Sequence, residues 1–173
     1  MKSCMEIMLD RRSTKKYKDT LPSREDIDKI IEAGLSAASG RNMQASVIVA
    51  VTNKDIRDRL SRANAAVMGA GGDPFYNAPC VLVVLAEKTA HTYVYDGSLT
   101  LGNMMLAAHE LGLGSCWIHR AKEVMYQPEW VEWIKSLGLE GEYEGIGNLV
   151  VGYPDGDMPA KKERREGRVV YVD

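Results

Sequence analysis

The sequence is short of cysteine, carries little excess charge of either sign and contains no long apolar run, and each shortage removes a class of protein. Cys4, Cys80 and Cys116 are the three cysteines among 173 residues. They are odd in number, widely spaced and form no Cys-x-x-Cys pair, which points to a reducing setting rather than a disulfide framework. Lys and Arg number 22 against 24 Asp and Glu, a formal net charge of -2, too balanced to hold nucleic acid or an anionic membrane. No 18-residue apolar run is present, and the opening Met1-Lys2-Ser3-Cys4-Met5-Glu6 lacks a secretory apolar core. The expectation is a cytoplasmic chain with no membrane partner. Gly-x-Gly-x-x-Gly after a strand, Gly-x-x-x-x-Gly-Lys-Ser/Thr and a hydrolase serine elbow are all missing, which argues against a classical Rossmann or P-loop site and against a hydrolase of the serine-elbow type. His91, His109 and His119 lack metal-ligand spacing, and no metal is expected.

What remains is one ordinary globular domain, expected over residues 1–173, with 45% hydrophobic residues and enough length to bury a core without disulfide or metal. Ser3 to Leu9 reads as a short amphipathic helix, and Asp10 to Thr20 as a polar, exposed segment. Ser23 is an N-cap with Asp26 three residues on, and Ile27, Ile30, Ile31 and Leu35 form one apolar face of a helix reaching about Ala37. Ser39-Gly40-Arg41-Asn42 breaks it. Val47 to Val51 and Val81 to Leu85 are continuous apolar runs, expected as strands buried on both faces. Lys54 to Met68 reads as an exposed helix and Gly69 to Asp73 as a flexible loop.

Asp96 to Leu111 is apolar right round the helix, which demands burial on nearly all sides. A chain of this size does not cover such a helix alone, so packing against a second subunit is expected. Gly112 ends the helix. A strand at Ser115 to Ile118, a helix around Lys122 to Ser136 with an irregular start at Pro128, and a strand at Leu149 to Val151 follow. The strand-like run Val169-Val170-Tyr171-Val172 closes a basic tail able to reach a neighbouring subunit. Strands alternating with helices give an α+β or α/β sandwich.

Two cationic clusters stand at opposite ends of the chain. Arg11-Arg12-Ser13-Thr14-Lys15-Lys16 and Lys161-Lys162-Glu163-Arg164-Arg165 offer forked guanidinium groups, ammonium groups and hydroxyls, suited to clamping one phosphate or, equally, to solvating a surface. Arg11 to Lys15 resembles the opening flavin-binding motif of the nitroreductase family, Arg-x-Ser-x-Lys/Arg. Ser39 to Gln44 resembles its second motif, Pro-Ser-x-x-Asn-x-Gln. Asn103 through Ala108 to Leu111-Gly112-Leu113-Gly114-Ser115-Cys116-Trp117-Ile118 is similar to its third, and Gly152-Tyr153-Pro154 with Lys162 and Arg164 to its fourth. The motifs stand in the family's order along nearly the whole chain.

The resemblance implies an FMN-dependent enzyme with NADH or NADPH as electron donor and an electron-poor small-molecule acceptor such as a nitroaromatic or quinone, working by ping-pong hydride transfer. It implies a homodimer with FMN at the interface, a central mixed or antiparallel sheet flanked by helices, a buried central helix and a C-terminal extension reaching the partner. Arg11, Arg12, Ser13, Lys162 and Arg164 would then surround the phosphate and ribityl chain. Lys15 would lie near flavin N1 and O2, where negative charge gathers on reduction, and so raise the potential. Ala38, Ser39 and Gly40 would approach from the other subunit; Asn42 and Gln44 would hydrogen-bond the flavin or tie down their own turn. Trp117, Ile118 and His119 resemble the segment passing flavin N5. His119 reads either as a titrating group or as a helix-start residue. No catalytic side chain is implied, because the cofactor carries the chemistry.

The chain departs from the family pattern at Ala38, where Pro is usual, at Ala45-Ser46, where Pro-Trp is usual, and at Gly69 to Asp73, which offers no amide or Lys. These departures imply a differently built pyrimidine edge and wider substrate access. Two alternatives use the same motifs: a dehalogenating or flavin-fragmenting relative, and a non-catalytic flavin-binding regulatory module. A basic-tailed interaction protein without cofactor is the third.

Overall fold

The computed structural model describes residues 3–69 and 71–173. Met1, Lys2 and Ala70, the last inside the expected flexible loop, lie outside the described residues. In chain order the elements are α1 (Cys4–Asp10), α2 (Arg24–Leu35), a 3-10 turn (Gly40–Asn42), β1 (Ser46–Val51), α3 (Lys54–Met68), β2 (Cys80–Glu87), α4 (Tyr93–Glu110), β3 (Gly114–Ile118), α5 (Ala121–Met125), α6 (Pro128–Ser136) and β4 (Tyr143–Gly152). The sheet runs β1-β2-β4-β3 with every neighbouring pair antiparallel. One face packs on α2 and α4 and the other on α3, α5 and α6. The result is the α+β sandwich expected, with an antiparallel central sheet.

Local signals start α1, α2 and α3 where they were read, whereas α4 begins at Tyr93, three residues before the expected Asp96. The Ser3 hydroxyl accepts from the Glu6 N–H (3.3 Å) while Glu6 accepts from the Ser3 N–H (2.6 Å). Ser23 accepts from the Asp26 N–H (3.0 Å) and Asn53 from the Ile56 N–H (3.0 Å). Each satisfies a donor that helix geometry leaves over. The stretch Lys122 to Ser136 is two helices rather than one, parted at Tyr126–Gln127, because Pro128 has no N–H and fits only the first turn of a helix.

β2 is buried along nearly its whole length, as a strand between two helical layers must be. β1 departs from expectation. It is an edge strand in which Val47, Ile48 and Val49 are half-buried and Ala50 is exposed, and an apolar run alone does not distinguish edge from centre. β4 is ten residues long instead of the three at Leu149–Val151. Its glycines mark close approaches. A Cβ at Gly145 would overlap the Ala121 carbonyl, and one at Gly147 the Trp117 indole. Between them Ile146 is left out of the ladder, since Val84 pairs with Gly147 and Leu85 with Gly145. This bulge turns Ile146 toward α4, where a Cβ on Gly97 would stand 2.6 Å from Ile146 Cγ1.

α4 lies across the sheet with Leu101, Met104 and Ala108 buried, and within this one chain Val94, Tyr95 and Leu99 remain open to solvent. Asp10 to Thr20 is less exposed than expected. Tyr17 is buried, and its hydroxyl donates to the Thr14 carbonyl at 2.7 Å. The tail residues Val169 to Val172 are exposed and pair with no strand among the described residues. No helix among the described residues is long and apolar enough to cross a membrane.

Gly145→Ala should cost about 1–3 kcal/mol through overpacking against backbone that has no rotamer to yield. The expected readout is a thermal midpoint several degrees lower with native secondary structure retained. An unchanged midpoint would mean that α5 shifts away from β4 freely.

Candidate functional site

The N-terminal segment after α1 is laid along the exposed side of β3. Ser13 bridges Ser115 in parallel fashion, the Thr14 N–H donates to the Ser115 carbonyl (3.0 Å), and the Lys18 N–H to the Tyr153 carbonyl (2.9 Å). A Cβ at Gly114 would come within 2.6 Å of the Thr14 hydroxyl, so the glycine lets this segment close on the strand. Beside it opens a cleft of about 850 Å³ lined by Arg11, Arg12, Lys15 and Lys16, the end of α4 with Gly112 to Ser115, and the stretch from Pro154 to Pro159.

The two arginines of the cleft are employed differently. Arg12 donates through Nη1 to the carbonyls of Leu9 (2.9 Å) and Arg11 (2.8 Å), which closes the C-terminal end of α1. Arg11 leaves its Nη1 buried with no hydrogen-bond partner. A buried, unsatisfied guanidinium nitrogen is costly unless an acceptor joins it, and a phosphate or carboxylate oxygen is the acceptor its fork fits best. Lys16 pairs with Asp155 at 2.7 Å, both largely exposed. The Lys15 ammonium lies 5.7 Å from the centroid of the Tyr76 ring. Nearby, burial pushes the Cys116 thiol up, opposed by Ser13, Lys15 and Arg11. The Tyr17 phenol is likewise raised, by burial first and then by Cys116 and Tyr76.

Ala38, Ser39, Gly40, Asn42 and Gln44 are not in this cleft. The Ser39 hydroxyl accepts from the Gln44 N–H (3.1 Å), and the Gln44 side-chain amide donates to Asn42 Oδ1 (3.1 Å), so these side chains tie down their own turn. Arg41, Asn42 and Gln44 all have φ near +50°. The turn is moored to the first residues of α4: the Gly40 N–H donates to Asp96 Oδ1 (3.1 Å), and the Thr92 hydroxyl to Asp96 Oδ2 (2.9 Å). Thirteen residues separate Asp96 from His109 at the cleft, about 20 Å along the helix. Within one chain the two groups of residues stand at opposite ends of α4.

Trp117 lies toward α4 against Gly147, its indole Nε1 buried and unpartnered, while Ile118 is buried on the other side of the sheet. The His119 side chain is exposed, and its carbonyl accepts from Asn64 Nδ2 (3.0 Å). Lys162 and Arg164 are exposed on the tail, three and five residues beyond Pro159. Thr14, Lys16, Tyr76 and Asp96 were not singled out from sequence. Thr14 sits inside the recognised motif and Lys16 just beyond it in the cationic cluster; the other two carried no local signal.

The loop carrying Tyr76 is built around one carboxylate. Asp73 accepts from the N–H groups of Phe75 (2.9 Å) and Asn77 (2.7 Å), from the Ser61 hydroxyl and from the buried Arg57. Arg57 also donates to the Ala78 carbonyl (3.0 Å) and lies over the Phe75 ring. Burial alone would raise the Asp73 carboxyl, but the hydrogen bonds from Ser61, Arg57 and the backbone hold it below the usual carboxylate range.

The nitroreductase family model matches residues 8–75 and 68–153. An Archaeoglobus fulgidus relative named for NADH dehydrogenase and NAD(P)H nitroreductase activity is 32% identical over 123 residues, 68% of this chain and 68% of its own length. The FMN reductase (NAD(P)H) of Bacillus subtilis is 28% identical over 187 residues, covering 95% of this chain and 70% of the relative. Among solved structures, the nitroreductase with bound FMN from Bacteroides fragilis matches with a TM-score of 0.88 at 26% identity over all of both chains. An iodotyrosine deiodinase bound to FMN and 3-iodo-L-tyrosine matches with a TM-score of 0.76 at 26% identity, over 99% of this chain and 100% of that one.

Because its pKa is lowered in the fold, Asp73 contributes stability that is complete above the ordinary aspartate value and is lost as pH falls through the folded value. Asp73→Asn should therefore be less stable than the parent by about 2–3 kcal/mol at pH 7, near the lower end for a broken buried pair because Asp58 still faces Arg57. The gap should be narrower at pH 3 and shrink further as pH falls through the folded value. Denaturant titrations at both pH values check it; a gap independent of pH would contradict the assignment.

Proposed function

Since this chain belongs to the nitroreductase family, we propose that it is a single-domain FMN-dependent oxidoreductase drawing electrons from NADH or NADPH and reducing nitroaromatic, quinone or similar electron-poor acceptors. The observation that carries this reading is the buried Arg11 Nη1 without an acceptor, set in a cleft of about 850 Å³ beside Lys15 and Lys16. Its donor set suits a phosphate at one end and a polar, electron-accepting ring alongside. FMN, when bound, would supply two-electron chemistry in a ping-pong cycle between nicotinamide and acceptor.

The chain's own groups bind and orient. Arg11 and Ser13 would hold the phosphate and ribityl chain, with Arg12 keeping α1 closed behind them. Lys162 and Arg164 follow Pro159 closely enough for the tail to add them to the same phosphate. Lys15 would stand beside N1 and O2, and the backbone of Trp117, Ile118 and His119 would pass N5. Ala38, Ser39 and Gly40, with Asn42 and Gln44, lie too far along α4 to serve the same molecule and would serve the cofactor of a second copy.

That separation supports a homodimer. Exposed Met5, Met8 and Leu9 on α1, Leu35 on α2 and Leu99 on α4 supply an apolar surface on the layer that carries both groups of residues, as an interface between copies requires. Sedimentation at micromolar concentration should give about twice the monomer mass; a stable FMN-loaded monomer would exclude the arrangement.

Purified protein should absorb near ~450 nm, as oxidised flavin does, and consume NAD(P)H with a quinone or nitroaromatic. A panel including halogenated phenols distinguishes reductive dehalogenation. Lys15→Ala should lower the two-electron midpoint potential by roughly 30–65 mV, the equivalent of ~1.5–3 kcal/mol of charge interaction. Arg11→Ala should instead weaken FMN binding about 10- to 100-fold and leave the potential unchanged, because phosphate charge does not alter on reduction. Wild-type potentials in both variants would refute the role of Lys15.

A further inference from the structure

The loop from Asp73 to Asn77 holds two consecutive non-glycine residues, Tyr76 and Asn77, at φ +54° and +56°. Side chains rarely tolerate this region, and it persists only where the surroundings over-determine it. Here the surroundings are the Asp73 carboxylate with its four donors, one of them a buried arginine. So large a polar anchor under a short surface loop calls for an explanation in what the loop presents. It presents the half-buried Tyr76 ring to the Lys15 ammonium.

Lys15 has no ion pair or hydrogen bond through its ammonium group among the described residues, whereas its neighbour Lys16 is paired with Asp155. An unpaired lysine next to Arg11, Arg12 and Lys16 is repelled by like charges and, unrestrained, turns outward to water. The electron-rich face of an aromatic ring attracts a cation without cancelling it. A carboxylate in the same place would orient the ammonium equally well and neutralise it.

We infer that Tyr76 is a positioning residue: its ring, fixed by the Arg57–Asp73 anchor, holds the Lys15 ammonium at the cleft while leaving its full charge available to a negative charge developing beside it. This rests on the reading of Lys15 as the cation next to a bound flavin. It also accounts for the missing lysine or amide in the preceding loop, since the loop then acts through Lys15.

The test uses the FMN-loaded full chain and the variants Tyr76→Phe, Tyr76→Leu and Lys15→Ala. Wild-type protein should show a nuclear Overhauser effect between the Lys15 ε-methylene protons, assigned by their loss in Lys15→Ala, and the Tyr76 ring. That signal requires no substitution at Tyr76, and its absence overturns the contact. Tyr76→Phe should keep both the wild-type ε-methylene shift and the wild-type midpoint potential. Tyr76→Leu should move the ε-methylene signal downfield and lower the potential in the direction of Lys15→Ala, by less than that variant does. If Lys15→Ala lowers the potential and Tyr76→Leu does not, the role of Tyr76 is overturned and that of Lys15 stands. If Lys15→Ala leaves the potential at the wild-type value, both are overturned.

Discussion

The close approach of α4 to the sheet, and of α2 to α4, is the constraint on which the remaining architecture depends. β2 is buried on both faces, so helices must close over each side at contact distance, and the α4 side closes only where side chains are missing. Gly34 admits Met104, Gly97 admits the bulged Ile146, and Gly147 leaves room for Trp117 and Leu101. The helix is thereby fixed along its length. Its first turn holds the Ser39–Gln44 turn through Asp96, and its last turn forms part of the cleft wall. A single rod thus sets the spacing between the Ser39–Gln44 turn and the cleft.

Charge in the cleft is distributed by occupation rather than by composition. Four cations stand together in the sequence from Arg11 to Lys16, yet Arg12 is engaged by the end of α1 and Lys16 by Asp155. Arg11 and Lys15 remain available, one through a buried orphan nitrogen and one held by an aromatic face. Their chemistry differs accordingly. A forked, partly buried guanidinium suits a fixed anion, and a compact ammonium with its charge uncancelled suits a charge that changes in size.

Long periodic elements were legible in the sequence because their patterns are set locally. The cap at Ser23, the stop at Gly112 and the run of β2 all report short-range physics. β4 was largely missed, since Gly145 and Gly147 are required by neighbours far away in sequence and weaken any local strand signal. The edge position of β1 was missed for a related reason: which strand lies outermost is decided by topology. At the site, the motif residues on Arg11 to Lys15 could be named because their side chains advertise binding. Tyr76 could not, as its role depends on a positive φ imposed by Asp73 and on contact across sixty residues. Asp96 looked like the polar start of an apolar helix, and only the fold reveals that it tethers Gly40.

The pairing of Ser13 and Thr14 with Ser115 carries a consequence for colloidal behaviour. β3 is the outermost strand on its side of the sheet, and an uncovered outer strand offers free N–H and C=O groups on which other chains can assemble. The segment that bears the cleft's cations is also what occupies that margin. A lesion that detaches it would lay bare a template for intermolecular pairing, and the protein would be lost to aggregation before a weakened affinity could be measured.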